Sequence, residues 1–450
     1  MEKNINARET VLLIIQKVLR ENAYSNIALK KGLEQSNLSR VDKALVTEIV
    51  NGTLKNLIKI DWIASQFIKI NQNKLDKNIQ DIIRTGIYQI MYLDRIPDSA
   101  VCNEGVNLAR KYSNEGAVKF TNGVLRNISR SKADIKYPDK GKEPVKYLSV
   151  FYSHPEWIVK KWLEDYGYEF TEQLLSANNE IPNFTIRTNR LKTDRENLKK
   201  LLEQEAITCS EGVYNQEALY IKGTSSIDDK QSFKDGLYQI QDESSMLIGH
   251  VLDPKPGEFI IDVCSAPGGK TTHVAELMNN KGIIIARDIY KHKLDLISQS
   301  CSRLGIDIVK TQLYNAKDLD ETLVNKVDRV MLDVPCSGFG VLRRKPDLRW
   351  KKSPDNFEEL SKLQLQILET ASKYVKPQGV LVYSTCTINK SENIDVVHKF
   401  LESNDDYYLE DLTAFLPEKL ESQTKSKGYV EIFPHIHGID GFFIARLRRR

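Results

Sequence analysis

The sequence predicts a multi-domain chain: an α-helical bundle, a small α+β linking module, and an α/β domain on a mostly parallel, doubly wound sheet. Three observations predict it. Apolar residues recur at helical spacing through residues 7–130, with few strand signals. A polar, lysine-rich stretch with two prolines follows at 131–146, which is linker composition. From residue 241 short apolar runs alternate with helical patterns, as expected of strands buried on both faces and joined by helices. A chain of 450 residues is also too long for one typical domain.

Residues 1–135 form the first expected domain. TVLLIIQKVL sets Val11, Leu12, Ile14, Ile15, Val18 and Leu19 on one helical stripe, and similar stripes occupy 41–58, 61–70, 78–92, 100–111 and 117–128. Polar breaks that include Pro97 and Gly116 separate them. Residues 136–240 form the linker and the small module. There HPEWIVKKWLEDYG reads as a helix carrying Trp157 and Trp162, and FTIRTNRLKTDRENLKKLLEQEAI as a short strand followed by a polar helix. Residues 241–450 form the third domain. Its strands are FIIDVCSA, GIIIARDI, DIVKTQLY, DRVMLDVP, GVLVYSTC and GFFIARL, with helices such as THVAELMN, LDLISQSCSRLG and LSKLQLQILETASKYV between them.

Composition narrows the class. Hydrophobic residues make up 41% and charged residues 28%, enough to bury a core. No apolar stretch approaches the ~20 residues that span a bilayer, and MEKNINARET lacks the apolar core of a signal peptide. These features suggest a cytoplasmic protein. The six cysteines contain no CxxC pair, which argues against a zinc ribbon. Cys102, Cys209 and Cys301 read as small apolar residues. His154, His435 and His437 make no metal constellation with acidic or cysteine partners, so no metal is expected. Residues 1–130 hold 20 Lys/Arg and 13 Asp/Glu, a net of +7 in a chain of net +4. This points to an anionic partner such as nucleic acid, with an ordinary mildly basic bundle as the alternative.

In parallel α/β sheets ligands bind beyond the carboxyl ends of the strands, and several runs here end in polar residues. The first gives DVCSAPGGKTT, which is neither a P-loop nor a GxGxxG fingerprint. Gly268 and Gly269 would let backbone approach a ligand, or simply make a tight turn. The second ends at Asp288, which suits the hydroxyls of a ribose or a solvated loop. The third leads to Asn315, able to donate to and accept from an adenine edge, or to close a turn. The fourth is DVPCSG, with Asp333 and Cys336, and the fifth ends in Cys386.

Two cysteines beside an aspartate suit one chemistry well. C5 of a pyrimidine is a poor nucleophile. A thiolate added to C6 makes C5 enamine-like, and an acid at N3 stabilises the charge that the addition creates. A base must then remove the C5 proton so that the thiol can leave.

QDESSM, DVCSAPGGK, ARD, DVPCSGFGVLRRKPDLRW, YSTCTI and DGFFIARL occur in one order along 241–450. On these pieces the domain resembles the S-adenosylmethionine-dependent RNA cytosine-C5 methyltransferases of the Sun/Nol1/Nop2 family, a Rossmann-like fold. The resemblance implies Cys386 as nucleophile, Cys336 as the residue that aids product release, and Asp333 at N3 of the base. It implies cofactor contacts from Cys264, Ser265, Ala266, Pro267, Gly268, Gly269 and Lys270, and from Asp288, Asn315 and Asp333. Lys270 would orient the acid or the base. Asn315 stands where the family usually has aspartate, and Val334 where alanine is common. Residues 1–130, above all IPDSAVCNEGVNLARKYSNEGAVKFTNGVLRNI, resemble the RNA-binding fold of NusB. The order of the three parts resembles the bacterial members that act on 16S ribosomal RNA, which implies that RNA as the partner. Arg343, Arg344 and Lys345 would hold RNA phosphates, with a solvated basic loop as the rival reading. Trp350 would pack or stack on a base. Two other readings stand beside this one: the same chemistry on transfer RNA, and a NusB-like binding or assembly factor with a non-catalytic methyltransferase domain.

Overall fold

The apolar stripes of the first third become helices, four of which start where a side chain caps them. In the computed structural model, which describes residues 5–70, 75–223 and 227–450, α1 (Ala7–Arg20) begins after Asn6, whose side chain accepts the N–H of Glu9. Residues 1–4 and 71–74 of the expected helical domain, and 224–226 of the linking module, lie outside the described residues. Helix α2 (Ser25–Glu34) is not among the expected stripes, because its inward face of Ala28, Leu29 and Leu33 is short and only partly buried. Ser39, Asp76 and Asn114 cap α3 (Arg40–Lys55), α5 (Lys77–Tyr92) and α7 (Glu115–Arg130), with α4 (Leu57–Phe67) and α6 (Asp98–Tyr112) between them. Their stripes close one apolar core that runs from Ala7 to Ile128. Three further helices follow, α8 (Pro144–Tyr152), α9 (Glu156–Tyr166) and α10 (Tyr168–Ala177).

Packing divides the chain into two units, residues 1–180 with 342–352, and residues 181–341 with 353–450. The short segment 342–352 thus belongs with the helices although its sequence lies deep in the third expected domain. Arg349 is its anchor. The buried guanidinium donates to the carbonyls of Lys55, Ser153 and Asn178 and to Asn179 Oδ1, at 2.9–3.0 Å. Trp350 donates its indole N–H to Leu54 O at 2.9 Å, so it is a packing residue of this unit. Lys351 reaches Ala23 O, and Asp347 accepts the N–H and hydroxyl of Ser25.

The second unit carries two sheets. The small one has the order β2-β3-β1-β4, all antiparallel: β1 (Phe184–Thr188), β2 (Thr208–Glu211), β3 (Ala218–Lys222) and β4 (Tyr238–Ile240). Helix α11 (Arg195–Gln204) buries Leu198 and Leu202 in the core of this module, and the four-residue α12 (Gln231–Lys234) precedes β4. After α13 (Glu243–Leu252) the large sheet begins. It comprises β5 (Phe259–Asp262), β6 (Ile283–Asp288), β7 (Val309–Leu313), β8 (Val327–Asp333), β9 (Val375–Thr385), β10 (Tyr407–Leu409), β11 (Tyr429–Ile432) and β12 (Phe442–Arg449). The order is β10-β12-β9-β8-β5-β6-β7, with β11 also on β12. Strands β9-β8-β5-β6-β7 are parallel, and β12 pairs antiparallel with β9.

Period-two alternation sends neighbouring residues to opposite faces. Ile260, Ile284 and Met331 join α13, α14 (Gly269–Leu277) and α15 (Lys291–Leu304). Ile261, Ile285 and Val330 join α17 (Asp355–Ser372) and α18 (Ile394–Glu402), which follow the four-residue α16 (Leu348–Lys351). This is the doubly wound sheet that the sequence predicts. Two buried polar bridges tie the small module to it. Arg187 of β1 pairs with Glu276 of α14 at 2.6 Å. Glu217 Oε1 accepts from His250 Nε2 at 2.7 Å and from His273 Nε2 at 2.9 Å. Among the described residues no helix is long and apolar enough to cross a membrane.

Candidate active site

The register of two parallel strands brings the distant motifs together. Asp333 at the end of β8 lies opposite Ser384 of β9, whose hydroxyl donates to Asp333 Oδ1 at 3.2 Å. Three residues beyond Asp333 comes Cys336, and just past the end of β9 comes Cys386. Their sulfurs stand 3.1 Å apart as free thiols, too far for a bond. Lys270, in the first turn of α14, donates to Asp333 Oδ2 at 2.6 Å. Burial alone would lower the Lys270 pKa, but the Asp333 carboxylate overrides it and keeps the ammonium charged above its usual range. The Cys336 thiol is pushed well above the ordinary thiol range, first by its contact with the Cys386 sulfur and then by burial.

The loop before α14 forms the second half of the site. Gly268 has φ +100°, where only glycine is at ease, and a Cβ there would meet Ile297 at 3.1 Å. Ser265 bonds Arg287 O through both its N–H and its hydroxyl, which pins the loop to β6. Arg187 donates to the Gly269 carbonyl at 2.7 Å, a support that sequence reasoning missed. Beneath the loop, burial raises the Asp262 carboxyl to about 7, although the Thr271 hydroxyl at 2.6 Å opposes this. Asp288 closes β6, with one oxygen accepting the Tyr290 N–H at 3.0 Å, and Asn315 follows β7, where its Oδ1 accepts the Lys317 N–H at 3.2 Å. These residues share the carboxyl edge of the parallel strands. The N-terminus of α14 offers N–H donors to an anionic group, and Asp288 offers a carboxylate to hydroxyls.

The basic run is placed differently. It opens the segment 342–352, where Arg343 is buried, Arg344 half-buried and Lys345 exposed. Sequence reasoning also missed Glu392 and its partners around the two cysteines. The signal was present in NKSEN, a polar run directly after the YSTCTI strand end. Among the described residues the metal-ligating side chains that gather are Glu217, His250 and His273, not His154, His435 and His437. Their separations are those of the hydrogen-bonded bridge described above.

Comparison with known proteins matches three parts of the chain. The family model described as 16S rRNA methyltransferase RsmB/F matches residues 249–448. The NusB family matches 5–130, and an RsmF/B-like ferredoxin-like domain matches 154–228. A Bacillus subtilis protein described as a probable ribosomal RNA small subunit methyltransferase B is 40% identical over all of both chains. A ribosomal RNA small subunit methyltransferase B from Serratia proteamaculans is 31% identical, covering 99% of each. Among solved structures, NSun6 from Pyrococcus horikoshii with SFG, an analogue of S-adenosylmethionine, is 25% identical with a TM-score of 0.59, covering 66% of this chain and 98% of that one.

Proposed function

Because the chain belongs to the family of 16S rRNA methyltransferases RsmB/F, we propose that it methylates C5 of a cytidine in 16S ribosomal RNA, in the cytoplasm, through a covalent cysteine adduct. The observation that carries this reading is the pair of thiols 3.1 Å apart beside the Asp333–Lys270 ion pair at one strand edge. The donor set fits S-adenosylmethionine. The 264–270 loop and the start of α14 would hold its amino-acid end, and Asp288 and Asn315 its ribose and adenine. When bound, it supplies an electrophilic methyl group.

The target base must leave its stack to reach this edge. The Cys386 thiolate adds to C6, and the displaced π electrons settle toward N3. N3 takes up a proton relayed from the Lys270 ammonium through the Asp333 carboxylate, which then accepts a hydrogen bond from N3–H. C5, now enamine-like, accepts the methyl group. Once a base has taken the C5 proton, the electron pair of that C–H bond re-forms the C5–C6 double bond and expels the Cys386 thiolate, and the N3 proton returns through Asp333 to Lys270. Cys336 remains a thiol, so its S–H can hydrogen-bond to that departing sulfur. The basic helical unit binds RNA phosphates, joined by Arg344 and Lys345, which reach solvent. The buried Arg343 acts through the fold of its segment.

Labelled methyl transfer to separated RNA classes tests the reading. Label should enter 16S RNA as 5-methylcytosine. Label in transfer RNA alone, or on a different base, would overturn it.

A further inference from the structure

Between the two cysteine loops lies a fully buried carboxylate that the reaction above does not use. Glu392 ends a short turn, Lys390–Glu392, six residues after Cys386. Its Oε1 accepts from the Ser337 hydroxyl at 2.5 Å and from Asn389 Nδ2 at 2.9 Å. Its Oε2 accepts from the Ser337 backbone N–H at 2.8 Å and from Gln364 Nε2 at 3.1 Å. A carboxylate has about four lone-pair sites, and these neutral donors fill them.

Two of those donors come from Ser337, the residue after Cys336. Gln364 Nε2 also donates to Pro335 O, the residue before Cys336, at 2.9 Å. The loop of the other cysteine is held by the backbone of Glu392 and by the next residue, Asn393. Tyr383 of β9 donates its hydroxyl to the Glu392 backbone carbonyl at 2.6 Å, and Asn393 bonds both Thr385 and Thr387, the neighbours of Cys386. Ser337 and Thr387 share a hydroxyl contact at 2.8 Å that closes the clasp.

The arrangement is costly elsewhere. Gln364 and Asn389 both turn their NH₂ groups to Glu392, and their own carbonyl oxygens stay buried without partners. Each orphaned acceptor is a cost to stability. Polar groups left unsatisfied around a satisfied carboxylate mark a place where geometry is held at the expense of stability.

We propose that Glu392 is the positioning residue that holds the Cys336 thiol against Cys386, so that the covalent adduct can resolve. The inference rests on the two-cysteine reading above. Glutamine cannot substitute. Either flip of its amide presents NH₂ to two donors, so at most two of the four hydrogen bonds survive. The Cys336 loop then loses its anchor while the nucleophile and the cofactor loop stay intact. Addition and methyl transfer proceed, and release slows.

The test compares wild type, Cys336→Ala, Glu392→Gln and Ser337→Ala in the full chain. Each is incubated with S-adenosylmethionine and 16S RNA and run on a denaturing gel. S-adenosylmethionine affinity is measured by calorimetry. Glu392→Gln should accumulate the RNA-linked protein as Cys336→Ala does, lower kcat by at least about tenfold and leave cofactor affinity within about twofold. Ser337→Ala deletes one hydroxyl and should shift the same way by less, which keeps the test alive if Glu392→Gln fails to fold. An adduct in Cys336→Ala but none in Glu392→Gln or Ser337→Ala would overturn the role of Glu392. No adduct in Cys336→Ala overturns the underlying two-cysteine reading, and the proposal with it.

Discussion

At the residue scale, Cys336 and Cys386 should fail differently. Without the Cys386 thiol no bond to C6 forms, so Cys386→Ala should be inactive and give no RNA-linked band. Without Cys336 the departing sulfur loses a donor 3.1 Å away, so Cys336→Ala should trap the adduct, and the double variant should show none. The reverse assignment predicts an adduct in Cys386→Ala, and a denaturing gel decides. Asp288 gives a second test. Replacing its carboxylate with alanine removes charge-assisted hydrogen bonds to hydroxyls and should weaken S-adenosylmethionine binding about ten- to a hundredfold, read by calorimetry, with the thermal midpoint near that of wild type. Unchanged affinity would place the ribose elsewhere. These residues were legible because each ends a recognisable strand and carries chemistry in its own side chain. Glu392 was not, because its importance lies in four donors that only the fold assembles. Arg187 was hidden for the same reason, since it lies in the middle of β1, 82 residues before the Gly269 carbonyl that it holds.

At the scale of elements, short apolar runs marked the central parallel strands β5, β6, β8 and β9, since strands buried on both faces must be apolar, whereas the edge strand β7, VKTQL, is largely exposed. Helix α2 escaped because its inward stripe is only Ala28, Leu29 and Leu33 and is partly exposed. The segment 342–352 escaped because its composition, basic with one tryptophan, reads as an RNA-contacting loop, whereas Arg349 is satisfied by helical-unit carbonyls. That satisfaction makes a prediction. Arg349→Met would leave the carbonyls of Lys55, Ser153 and Asn178 and the Asn179 side chain without their donor. The variant should be less stable by about 2–4 kcal/mol in urea denaturation, and a midpoint equal to that of wild type would show the anchor to be dispensable. The same packing complicates any chain begun near residue 140. It would lack the Leu54, Lys55 and Ala23 carbonyls to which Trp350, Arg349 and Lys351 bond, so loss of activity there would not isolate RNA binding.

At the scale of the whole molecule, both units bury histidines in the neutral form. Burial holds His154, in the helical unit, well below the usual imidazole range, and it lowers His273 to about 3 and His435 to about 4. In each case the folded value lies below the unfolded one. The unfolded chain therefore binds protons that the folded chain refuses, and stability is full above about pH 6.5 and falls as the pH drops below it. Two buried acids act in the opposite direction. Burial raises Asp262 to about 7 and also raises Glu276, so each adds stability at low pH that is lost as the pH rises through its folded value. Each uncompensated group is worth about 1.4 kcal/mol per pH unit. His154 isolates one group of the three. Its Nδ1 lies 2.8 Å from Tyr152 O and so carries the proton, while Nε2 is buried without a partner. His154→Gln keeps a donor but cannot titrate. Its urea midpoint should fall less than that of wild type between pH 7 and pH 5, by about 2 kcal/mol when converted to free energy. Parallel curves for the two proteins would mean that His154 takes up its proton without unfolding its surroundings.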